Sequence, residues 1–196
     1  RDRDFYSAQL RFDNNSKAAE SFLILQQSER KSNDKAIDES TFIHGRYILV
    51  GDEAVNWELF AQYSENPFRN YKKRSVLGGG LRYELSKSAR LGAGILNEDE
   101  TELTGQSKTT ERFGFYFHNS LELAENIALK PTIYFQPSID DFENDYKASI
   151  ILALDFKVNE DFKITMQYSS FHDSDPPMFA EKTDESISTM FSYNLN

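Results

Sequence analysis

Few side chains in these 196 residues could do covalent chemistry: there is no cysteine, and there are three histidines. His118 and Ser120 stand two apart. On a strand that spacing puts both side chains on one face. It is the least arrangement in which an imidazole could take the proton of a serine nucleophile. A working triad also needs a polar group to orient the base, and the sequence assigns none. A pair like this arises by chance in a chain of this size. His44 is a lone histidine on a strand and His172 lies in a loop, so neither suggests a metal site. Acidic clusters occur at Glu98, Asp99, Glu100 and Glu102, at Asp140, Asp141, Glu143 and Asp145, and at Asp173 and Asp175. Several oxygens could hold a hard cation, but none of these runs has the fixed spacing of a ligand loop. They read as solvated loop charge. No catalytic, cofactor-binding or metal-ligating residue is assigned, and no enzyme activity or cofactor is expected.

The elements that must position these groups are strands. Val55, Trp57, Leu59, Ala61 and Tyr63 fall on one face; Asn56, Glu58, Phe60, Gln62 and Ser64 fall on the other. The same period of two gives strands near 4–13, 19–28, 40–50, 54–64, 73–85, 89–97, 111–123, 126–137, 145–157, 161–171 and 185–196. Short links rich in Asn, Gly, Asp and Ser alternate with long links at 29–39, 65–72, 98–110, 138–144 and 172–184. Short turns alternating with long loops are the pattern of an outer-membrane β-barrel. Mean hydropathy is −0.62, but a barrel strand needs only ~9–11 residues, half of them facing lipid. The net charge of −10 excludes nucleic acid as an expected partner. The reading is a single all-β domain over 1–196, an antiparallel up-and-down transmembrane barrel.

The long links should face outward and the C-terminus should lie in the periplasm. About eleven strands are counted, whereas single-chain bacterial barrels have even numbers. One N-terminal strand is therefore expected to precede this sequence, making about twelve in the complete barrel. No secretory leader is visible, which is read as a mature or trimmed chain. On the lipid face, Tyr6, Tyr63, Phe113, Phe135, Tyr146 and Tyr168 should form the outer aromatic belt, and Tyr47, Tyr83, Phe156, Phe162 and Tyr193 the inner one. Aliphatic residues lie between. In the segment Phe22-Leu23-Ile24-Leu25 parity cannot choose the face.

The opposite parity gives a lumen wall of Arg11, Arg46, Glu58, Arg74, Arg82, Glu84, Arg112, His118, Glu122, Lys130, Lys147, Asp155 and Lys163. Cations outnumber anions in this set, so the wall reads as net basic with the negative charge in loops. Two readings stay open: an anion-favouring lumen, or a network of cross-strand ion pairs filling the interior. Gly78, Gly80, Gly92 and Gly94 point inward on neighbouring strands. They are read as curvature of the strands or room for an inward ring such as Tyr116, and the other reading is a channel wall kept clear for a solute.

The run Tyr63-Ser64-Glu65-Asn66-Pro67-Phe68-Arg69, then Arg74, then Gly78-Gly79-Gly80-Leu81-Arg82-Tyr83 resembles the salt-induced outer membrane protein family of Gram-negative bacteria. Gln136-Pro137, Asp145-Tyr146, Pro176-Pro177 and Tyr193 in a closing strand also fit; the final Asn196 departs from the usual closing aromatic. The resemblance implies an outer-membrane barrel linked to osmotic or salt response, with no established substrate, reaction or cofactor. The expected function is a passive small-solute or ion conduit, or a structural barrel. The alternative is an interaction protein whose loops bind a partner protein, lipopolysaccharide or phage; a further one is a membrane hydrolase using His118 and Ser120. Expected partners are outer-membrane lipid and lipopolysaccharide, with the barrel-assembly machinery during insertion.

Overall fold

A computed structural model describes residues 3–32, 35–51, 54–67, 71–177 and 180–193. Phe68, Arg69 and Asn196, which figure in the sequence reading, lie outside the described residues. The strands are β1 (Arg3–Asn15), β2 (Ala19–Ser32), β3 (Lys35–Leu49), β4 (Val55–Asn66), β5 (Tyr71–Glu84), β6 (Arg90–Glu102), β7 (Ser107–His118), β8 (Leu121–Ala124), β9 (Ile127–Pro137), β10 (Tyr146–Lys157), β11 (Phe162–Asp173) and β12 (Thr183–Tyr193). They form one antiparallel up-and-down sheet of 12 strands in chain order, with β8 off the main path and paired to β9. Among the described residues, β1 and β12 each pair on one side only.

β7 and β8 are two halves of one pass opposite β9, as the single expected strand 111–123 implies. Phe115–His118 pairs with Thr132–Phe135, and Leu121 pairs with Leu129. Pro131 sits opposite the break. Proline has no N–H to give a ladder, so it only accepts, from the Asn119 N–H at 3.1 Å. The Ser120 N–H turns instead to the carbonyl of Ser88, also at 3.1 Å.

The strands reach further into the long links than the sequence reading placed them. The link expected at 98–110 is mostly hairpin: β6 runs to Glu102 and β7 begins at Ser107. The turn is made at Gly105, whose φ of 89° is in the region glycine adopts without strain. Likewise β2 extends to Ser32 and β3 starts at Lys35 within the link expected at 29–39. Charged and polar residues occupy both faces of most of these extensions, as in Glu98-Asp99-Glu100 and Glu29-Arg30-Lys31, and such a run carries no period-two apolar signal.

Burial is inverted relative to a water-soluble domain. Among the described residues, the apolar Ile48, Val76, Leu96 and Pro137 are buried, and Asn56, Glu58, Arg82, Glu98, Arg112 and Asp155 are buried with them. Large apolar residues lie outside: Trp57, Leu59, Leu77 and Ile95 are 64%, 65%, 67% and 61% exposed. A contiguous apolar exterior around a charged interior suits lipid outside and polar groups within. The ambiguous run on β2 resolves with Phe22 and Ile24 lining the interior cavity and Leu23 exposed outside.

Candidate functional site

The interior carries ion-paired groups at three levels along the strands. At the long-loop end the hub is Glu98. Arg74 Nη2 donates to its Oε2 at 2.6 Å and Lys147 Nζ to its Oε1 at 2.6 Å. Arg112 Nε lies 3.5 Å from the same carboxylate. Lys147 also donates to Glu100 at 3.0 Å and lies 3.3 Å from Asp173. Arg112 Nη1 is 2.8 Å from Asp145 Oδ1 and donates to the carbonyls of Gln136 and Asp145. Lys108 joins Asp145 to Asp175, at 3.0 and 2.6 Å. Asp145 lies in the link between β9 and β10. Burial pushes its carboxyl up, but hydrogen bonds from Lys108 and Arg112 outweigh this and hold it below the ordinary value.

In the middle, Glu58 accepts from Arg46 Nη1 at 3.2 Å and from the Tyr116 hydroxyl at 2.9 Å. The Arg46 guanidinium lies over the rings of Phe60 and Tyr116, 5.2 and 5.3 Å from their centroids. The glycines make this packing possible. A Cβ on Gly92 would overlap the Tyr116 ring, and one on Gly78 would come within 2.5 Å of Phe60. On Gly80 and Gly94 a Cβ would strike the facing backbone. His44 sits among the rings of Phe22, Phe42 and Phe60.

Toward the short-turn end, Arg82 Nε is 2.6 Å from Glu84 and its Nη1 is 3.7 Å from Glu20. Asp155 accepts from Lys130 at 2.7 Å, from Thr165 at 2.6 Å and from Lys163 at 3.5 Å. Arg11 pairs with Asp13 at 2.7 Å and lies over Phe22. Glu122 is exposed on β8. His118 Nδ1 is 2.9 Å from Thr132 Oγ1, so its ring is engaged by threonine, and the structure gives no His118–Ser120 bond. A cavity of about 1050 Å³ runs through the interior. Its lining includes Asn15 and Glu20 at the short-turn end and Pro177 and Lys182 at the long-loop end.

This geometry corrects two expectations. Glu98 and Glu100 are strand residues facing inward, and Asp145 is buried against Arg112, so these carboxylates are not solvated loop charge. With Asp13, Glu20 and Asp173 also in ion pairs of the wall, the cation excess expected for the wall disappears into ion pairs. The cause is burial: a cation turned inward needs a partner. Carrying the parity of strand 89–97 three residues further would have placed Glu98 and Glu100 beside Gly92 and Gly94. Arg90, inside that strand and on the same parity, is a further inward residue that the expected wall set leaves out.

On the outer surface, Phe113, Phe115, Phe135, Phe142 and Tyr146 form a continuous ring cluster at the long-loop end, which His172 joins through Tyr146. Tyr6 is exposed there, the Tyr63 hydroxyl donates to Glu65, and the Tyr168 hydroxyl donates to Glu185 at 2.6 Å. At the short-turn end Phe162 stacks on Phe191, and Tyr47, Tyr83 and Tyr193 are exposed. Phe156 is half-buried, beside Ile127 and Ile164 in the strand registers.

Solved structures share this architecture. The NanC porin matches with a TM-score of 0.61 over 98% of this chain and 96% of that one, at 10% identity. The outer membrane channel DcaP of Acinetobacter baumannii gives 0.46 at 8% identity over 94% of this chain and 61% of that one. The β domain of the Bordetella autotransporter BrkA gives 0.45 at 13% identity, over 98% and 92%. The likeness to NanC shows the fold, that of an outer-membrane β-barrel. No curated protein matches this chain in sequence. The model of the family described as "Protein of unknown function, DUF481" matches residues 2–195, and the chain belongs to that family.

Proposed function

We propose that this protein is a narrow passive conduit for small polar solutes or ions in the bacterial outer membrane, with the long loops outside and the short turns in the periplasm. The observation that carries this reading is the interior cavity of about 1050 Å³, whose lining includes residues of both ends of the strands. Two features support it. The exterior is apolar and ringed by aromatics, as lipid requires. The interior charges are clamped in pairs along the wall, which leaves space between them instead of filling it. The shared fold with a protein described as a porin is in keeping with this reading. A link to salt or osmotic response rests on the family resemblance of the sequence alone.

The test is planar-bilayer conductance of the refolded protein, with folding verified by heat-modifiable gel mobility. Discrete steps support a conduit. Silence at high protein load, from folded barrel, overturns it in favour of a structural barrel, or of one that binds a partner protein or lipopolysaccharide through its loops. Because the wall is ion-paired rather than net basic, the reversal potential in a salt gradient should be modest.

A further inference from the structure

Among the described residues, Arg90 is a strand cation lining the cavity that stands outside the pairing. Arg90 opens β6, is half-buried, lines the cavity and, among the described residues, has no ion pair or hydrogen bond from its side chain. The strand register places it in a rung Glu84–Arg90–His118–Thr132 across β5, β6, β7 and β9. Both neighbours are bonded elsewhere, although the Glu84 carboxylate still acts on Arg90 across space. Glu84 is bound to Arg82 at 2.6 Å, and His118 Nδ1 is engaged by Thr132 at 2.9 Å. Glu20, the other carboxylate within electrostatic reach of Arg90, also has its ion pair with Arg82. Arg82, Arg90 and Lys130 all act electrostatically on His118. The rung is thus a patch where positive charge faces the cavity without a bonded protein anion.

A half-buried guanidinium that faces a polar cavity without a bonded carboxylate is a ready site for an anion. Its planar fork matches two oxygens of a carboxylate or phosphate. His118, opposite Arg90 in the strand register, also lines the cavity. We propose that Arg90, with His118 beside it, forms a subsite in the short-turn half of the lumen for a small dissolved oxyanion of carboxylate or phosphate type. The proposal rests on the conduit reading for its physiological meaning, but binding can be measured without transport.

The experiment uses the refolded chain in detergent, with inorganic phosphate as probe. The readout is ³¹P line broadening on titration, with chloride as competitor. Arg90→Gln is expected to weaken phosphate binding about tenfold to a hundredfold, the range for losing a charged hydrogen bond. Arg90→Lys should restore part of it as a point charge without the fork. Lys108→Gln removes equal charge from a lysine already shared by Asp145 and Asp175, and should leave the affinity close to that of the unaltered chain. No broadening with the unaltered chain, or equal broadening with Arg90→Gln, overturns the subsite. Conductance in chloride is recorded on the same preparations. Conductance without phosphate binding removes the subsite and keeps the conduit; phosphate binding lost in Arg90→Gln, with no conductance from folded protein, removes the conduit and keeps the subsite.

Discussion

Glu98 and Arg112 stand on adjacent strands with side chains only 3% and 2% exposed, and the carboxylate is within 3.5 Å of the guanidinium. Neither could sit in this interior alone. Glu98 also holds Arg74 and Lys147, so one carboxylate ties β5, β6, β7 and β10 together. Glu98→Gln leaves three cations facing a neutral amide. It is expected to destabilise the barrel by about 3–5 kcal/mol, the cost of breaking a buried ion pair from one side. Urea unfolding in detergent, followed by gel mobility, measures this; a loss under about 1 kcal/mol, typical of a surface pair, would mean that the hub is solvated.

Acid should loosen the long-loop end through Asp145. Its folded-state carboxyl titrates below the ordinary value because Lys108 and Arg112 bond it. A depressed carboxylate contributes stability that is present above its unfolded pKa of about 3.9 and is lost as pH falls through the folded value. The urea midpoint should therefore hold from neutral pH to about pH 5 and drop below about pH 4. In Asp145→Asn the drop should be smaller and the neutral-pH midpoint lower. An unchanged acid limb in that variant would remove Asp145 from the account.

Lipid and lumen faces can be told apart by one arginine. Leu152 is 37% exposed on the outside at mid-strand, and Leu152→Arg should cost ~2–4 kcal/mol in lipid vesicles. Ser149 lines the cavity, and Ser149→Arg should cost less than half as much. Reversed costs would invert the barrel's parity.

The glycines predict a coupling. Gly92→Val drives a branched side chain into the Tyr116 ring and should cost about 1–3 kcal/mol by overpacking. The bond from Tyr116 to Glu58 would loosen with it. In a Tyr116→Ala background the same change should cost markedly less, a double-mutant-cycle term of at least about 0.5 kcal/mol. Additive costs would mean that Gly92 serves only the bend of the strand.

Much of the architecture is legible in the residues because the period of two is a local property. The alternation of Val55 through Ser64 names both faces of β4 without any knowledge of its neighbours, and each hairpin carries its own turn chemistry. Parity alone also puts His118 on the inner face. It does not say that Thr132, rather than Ser120, takes the imidazole, because that choice depends on the register of β7 against β9.

The charge pattern is where local reading fails. Glu98, Asp99 and Glu100 are consecutive acidic residues, and a run of like charge reads as loop. The cross-strand partners, Arg74, Arg112 and Lys147, drawn from three other strands, show that the strand and its inward parity continue through Glu98 and Glu100. Partners 14 to 49 residues away cannot be inferred from spacing. The sequence by itself determined the strand periodicity, the alternation of short and long links and the aromatic lipid face, since each is a property of neighbours along the chain. The tertiary structure alone decided which charges neutralise one another and that Arg90 is left over, since ion pairing is set by distances through the interior.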